Sequence, residues 1–151
     1  MHRVGRWQQQ FTTEVGKDIG VESWLMRLEV LLARGEMRSQ IATNLQLPLG
    51  SIQRLQQLTA VENTLLTKLN GSNRPSDVYQ TLVPYDLPTL LLTSVRHPQQ
   101  IGTHVWRYIT QLIHTRPPID GHHLRRLGYP PSPLYRQILN ALTHAALDGS
   151  I

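Results

Sequence analysis

The sequence predicts an all-α fold, arranged as two small helical bundles in series. Three observations carry this. Apolar residues recur at helical spacing along almost the whole chain. No clean period-2 run appears, and β-branched residues are scattered. Pro75, Pro88, Pro98 and Pro133 each stand where an element would open, and none interrupts one. Agreement between such independent local signals marks a sequence that specifies one fold.

Taken in order, Trp24, Leu25, Leu28, Leu31 and Leu32 form one apolar stripe that ends at Gly35. Ile41, Ala42 and Leu45 begin a short second helix that stops before Pro48. Ser51 is the expected cap of a longer third helix carrying Ile52, Leu55, Leu58, Val61, Leu65, Leu66 and Leu69. The run Asn70-Gly71-Ser72-Asn73 is turn chemistry and marks the expected boundary. Beyond it, Pro75 opens a helix with Val78, Tyr79 and Leu82, and Pro88 one with Leu90, Leu91, Leu92 and Val95. After Pro98, Ile101, Val105, Tyr108, Ile109 and Leu112 share one face, with His104, Arg107, Gln111 and His114 opposite. In the last helix Ser132 is expected to cap and Pro133 to take the first position. Leu134, Ile138, Leu142 and Ala145 should face the core, Arg136, Gln137, Asn140 and His144 the solvent, and Gly149 should supply a left-handed stop. Trp24 and Trp106 are expected in the core. The resulting division is an N-terminal extension over 1–20, a helical body segment over 21–72 and a helical body/tail over 73–151.

Composition sets the limits on function. At 151 residues the chain is long enough to bury roughly 70% of its unfolded surface, and 40% of its residues are hydrophobic. It has no cysteine, which removes disulfides and thiolate metal sites and suits a cytoplasmic location. No apolar run approaches a membrane span, and Met1 to Gln10 lack the apolar core of a secretory signal. The net charge of +5 and pI of about 10.1 favour a polyanionic partner. The charge is also asymmetric. Six of the seven histidines fall after Val95, alongside Arg96, Arg107, Arg116, Arg125, Arg126 and Arg136, against only Asp120 and Asp148.

The same region carries a family likeness. Arg74-Pro75-Ser76-Asp77-Val78-Tyr79-Gln80-Thr81-Leu82 is followed by the apolar run Leu87 to Val95, then by Arg107-Tyr108-Ile109 and Pro118-Ile119-Asp120-Gly121. Leu124, Leu127-Gly128-Tyr129, Pro131-Ser132-Pro133, Tyr135, Ile138-Leu139 and Leu147-Asp148-Gly149 complete the order. The run resembles the C-terminal body and tail of bacterial-type tRNA nucleotidyltransferases, the CCA-adding and A-adding enzymes and related poly(A) polymerases. Trp24-Leu25 to Leu55 looks particularly like the cyanobacterial members. Ser132 departs from the family's usual Gly, and Pro130 stands where a basic residue is common. If that Gly serves to let a phosphate approach the backbone, Ser132 narrows the gap, while the helix N-terminus it is expected to cap remains an anion site.

In that family a head domain performs nucleotidyl transfer, with Mg²⁺ held by an Asp-x-Asp pair and ATP or CTP as substrate. This chain has no Asp-x-Asp, and its ten acids are scattered singly. The resemblance thus implies a chain that is not itself an enzyme and needs no cofactor of its own. It would hold the acceptor arm and elbow of tRNA for a catalytic head domain. Arg107, His122, His123, Arg125, Arg126, Ser132 and Arg136 are the candidate RNA-binding residues; Arg125 and Arg126 read equally well as a solvated helix face from the residues alone.

Other readings compete. Arg38 to Leu58 fits a helix-turn-helix of short helix, turn and recognition helix, with Gln46 in the place of the usual turn glycine and Arg54 as the only cation on the second helix. That would make a DNA-binding regulator, although a packed helical hairpin has the same pattern. His122 and His123 suggest metal binding, but neighbours on a helix point about 100° apart and no carboxylate pair or thiol is near. A helical protein-interaction module, or a gene remnant without activity, is the remaining alternative.

Overall fold

The computed structural model describes residues 23–71, 74–130 and 132–151. The expected extension over 1–20 with Trp7, residues 72 and 73 of the expected boundary, and Pro131 lie outside the described residues. Within them every regular element is helical. The α-helices are α1 (Ser23–Leu32), α2 (Arg38–Asn44), α3 (Leu49–Leu69), α4 (Pro75–Leu82), α5 (Leu87–Arg96), α6 (Thr103–Thr110), α7 (Gly121–Arg126) and α8 (Pro133–Leu147). A π-helical turn, Pro98–Gly102, joins α5 to α6, and a 3₁₀ turn, Leu112–His114, follows α6.

The helix ends show why these segments stop and start where they do. Asp86 caps α5, its carboxylate accepting from the Thr89 amide at 3.2 Å, and Pro88 sits in the first turn. Pro75 occupies the first position of α4 and Pro133 that of α8, as the sequence predicts. Pro98 opens the π-helical turn rather than α6 itself. Gly102 at the end of that turn is completely covered, and a Cβ there would stand 3.3 Å from the Ser94 carbonyl oxygen. Glycine is what lets α6 turn so closely against the last turn of α5.

Two apolar clusters form the core. Ala33, Ala42, Leu55, Leu58 and Leu92 make one; Leu65, Leu69, Val78, Leu82, Leu90, Ile101, Val105, Ile109, Leu112 and Leu147 make the other. Two helices feed both clusters: α3 gives its first half to one and its last turns to the other, and α5 supplies Leu92 and Leu90. Polar bonds also cross the expected boundary. Arg96 pairs through Nε with Glu62 and donates through Nη1 to the Ala33 carbonyl at 2.9 Å. Arg54 holds the buried Glu29 of α1 at 2.9 Å and Asp86 at 3.1 Å.

Several sequence expectations are corrected. α3 begins at Leu49 with Pro48 before it, so Ser51 does not cap; its hydroxyl is buried inside the first turn without a hydrogen-bond partner among the described residues. Ser132 precedes α8 in an extended conformation and its side chain makes no capping bond. Trp24 is 58% exposed and Leu31 and Leu134 are likewise exposed, because nothing among the described residues covers those helix faces. By contrast the face predicted after Pro98 is buried as expected, with Tyr108 half-buried against Tyr79.

Candidate nucleic-acid interface

The cationic C-terminal third centres on α7, the turn after it and α8. α7 starts on Asp120, whose Oδ1 accepts from the His122 and His123 amides at 2.9 and 3.0 Å. His123 reaches back: its Nδ1 lies 3.4 Å from the Asp120 amide nitrogen, which closes a capping box, and 2.7 Å from the same carboxylate oxygen. The bonds from His123, backbone first and then ring, hold the Asp120 carboxyl at about 2. A carboxylate suits this end of a helix, where the amides point outward.

The other end of α7 closes on Gly128, which takes the left-handed conformation at φ +88°. Its amide donates to the Arg125 carbonyl at 3.0 Å, and the Tyr129 amide to that of Leu124 at 3.2 Å. These two bonds define a Schellman stop, with glycine at the position that no Cβ tolerates well. Leu124 is the one fully buried side chain of this short helix. Arg125 and Arg126 stand in its last turn, exposed.

The turn then ties itself to α8: the Tyr135 hydroxyl donates to the Tyr129 carbonyl. Ser132, Pro133, Tyr135, Arg136, Leu139 and Asn140 line an open cleft of about 550 Å³ along the start of α8. The far end of α8 is fastened elsewhere. Asp148 accepts from the Ser76 amide at 3.0 Å and from its hydroxyl at 2.7 Å, which draws the carboxyl below its ordinary range. It thereby caps α4 from across the fold, while Gln80 and His144 meet at 3.0 Å.

The candidate residues therefore fall in two places. Arg125, Arg126, Ser132 and Arg136 share the α7–turn–α8 unit, with His122 exposed nearby on α7 and His123 engaged in the cap. Arg107 lies on α6, half-buried beside His104, whose ring is held below its usual value by burial and then by the Arg107 charge. α4 packs against both α6 and α8 and so connects the two places. Among the described residues no three His, Asp or Glu side chains converge as metal ligands would.

Sequence reasoning missed the apolar part of this surface. Leu127, Tyr129 and Leu134 are all exposed on this same α7–turn–α8 unit. The signal was Gly128: a glycine after a short basic helix puts the next residue, Tyr129, just beyond the helix stop. The rival unit is also present, since α2 and α3 pack together across a turn in which Gln46 takes φ +53°. Its expected cation is not free, because Arg54 is committed to Glu29 and Asp86. No family model, no curated protein and no solved structure matches this chain.

Proposed function

We propose that this chain binds tRNA, acting as the body-and-tail portion of a tRNA nucleotidyltransferase-like protein. The observation that carries the proposal is the exposure of three cations, Arg125, Arg126 and Arg136, on the one unit that also bears the densest run of family-like motifs. Guanidinium groups suit phosphate oxygens, and among the described residues no carboxylate forms an ion pair with these three. The role of such a chain is to hold the tRNA body so that the 3′ end meets a catalytic head carrying the metal-binding carboxylates. Positioning of this kind sets the geometry of attack. Arg107 would extend the contact along α6. The chain itself is proposed to be non-catalytic and to use no cofactor of its own.

A second reading, a DNA-binding helix-turn-helix, is favoured by the left-handed Gln46 between α2 and α3. Internal pairing of Arg54 weakens it. Binding of tRNA and of duplex DNA of matched length, each in competition with the other, separates the two. The tRNA proposal expects tRNA to win, for tRNAs of different sequence alike. Preference for particular duplex DNA sequences would overturn it in favour of the helix-turn-helix.

A further inference from the structure

We infer that Tyr129 is a stacking platform for an unpaired nucleobase, a refinement that rests on the RNA-binding reading above. The backbone that carries this ring is fixed on both sides. Its amide is bonded to the Leu124 carbonyl at 3.2 Å, its carbonyl accepts from the Tyr135 hydroxyl, and Gly128 before it is locked in the left-handed turn. The residue at this place beyond a helix stop commonly packs over the helix's own last turn. Here Leu124 is buried already, and Tyr129 is 55% exposed. An exposed aromatic ring on a fixed stretch of backbone spares the ordering of the main chain when something covers it.

The surroundings select the occupant. Leu127 and Leu134 are exposed apolar residues of the same unit, and Arg125, Arg126 and Arg136 stand exposed on the two helices that flank the turn. The only carboxylates of the C-terminal third are Asp120, engaged at the opposite end of α7, and Asp148, bonded to Ser76. Charge complementarity therefore calls for a polyanion, and the apolar ring for a flat face within it. A nucleic acid offers both, but a duplex hides its base faces between neighbours. Unpaired bases in loops and single strands leave them open to aromatic side chains and guanidinium planes.

The test uses the full chain with two probes, a single-stranded RNA oligonucleotide and a fully paired RNA duplex. Tyr129→Ala should weaken single-strand binding about 10-fold, the order expected for one lost base–aromatic stack. Tyr129→Phe and Tyr129→Trp should restore it, and duplex affinity should stay unchanged in all three. The salt dependence of single-strand binding should also stay unchanged, since the ring neutralises no phosphate. Equal circular dichroism spectra would show that the ring's exposure makes it dispensable for folding. Three results would overturn the proposal: unchanged single-strand affinity in Tyr129→Ala, a loss in Tyr129→Phe as large as in Tyr129→Ala, or self-association that Tyr129→Ala abolishes while RNA affinity stays the same. Each of these leaves the RNA-binding reading standing. Failure of the wild type to bind either RNA removes both.

Discussion

Asp120 shows how much a single exposed carboxylate does for α7. Its carboxyl is held at about 2, below the ordinary 3.8, because the folded state gives the anion three hydrogen bonds from His122 and His123. A group whose folded value is depressed stabilises the fold above its unfolded value, and that contribution disappears as pH falls through the folded value. α7 should therefore keep its first turn at pH 5 and lose it between about pH 4 and pH 2. A proton NMR titration of the His122 and His123 amides checks this, with faster amide exchange expected over that window. Titration of Asp120 at its ordinary value would contradict it. Ser51 and Ser132 are expected to cap and do not, although they are equally good capping types. Ser51 fails because Pro48 starts α3 three residues early, whereas Ser132 stands at the N-cap position of α8 and still makes no side-chain bond.

At the scale of elements, helical periodicity located α1 to α6 and α8 because a 3.6-residue apolar repeat is a local property. It does not say what covers each stripe. Trp24 and Leu31 share the stripe of α1 with Leu28, yet their side of the helix is open. The buried charges were likewise hidden from the sequence, because Glu29 meets Arg54 and Glu62 meets Arg96 across 25 and 34 residues. The Glu29–Arg54 pair is the clearest test of how α1 is fastened to α3. Glu29 is almost wholly covered and the Arg54 side chain is only 12% exposed, so Glu29→Leu leaves a largely buried guanidinium with only Asp86. That variant should lose about 3 kcal/mol of stability in urea unfolding, the low end for a broken buried pair because Asp86 remains. Replacing both partners, Glu29→Leu with Arg54→Met, should recover most of the loss. A single variant as stable as the wild type would show that the pair does not hold the two helices.

For the whole molecule, the all-helical class and the cationic C-terminal third could be read directly, since both depend on composition and pattern. The shared core could not: α3 and α5 each serve both clusters, which places side chains from either side of residues 70–73 in common packing. The way α7 is joined to α8 also depends on the left-handed Gly128 and on the Tyr135 bond to the Tyr129 carbonyl, neither visible as charge. The central claim is that this surface takes the phosphates of tRNA. The most direct measurement is the slope of log affinity against log salt for tRNA, in wild type and in Arg125→Ala with Arg126→Ala. Each neutralised phosphate contributes about −0.9 for B-DNA, and with similar behaviour for RNA four contacts from Arg107, Arg125, Arg126 and Arg136 give a slope of about −3 to −4. The double variant should reduce its magnitude by about 2, equally for tRNAs of different sequence and with helix content unchanged. An unchanged slope would contradict the account by removing α7 from the RNA-binding surface.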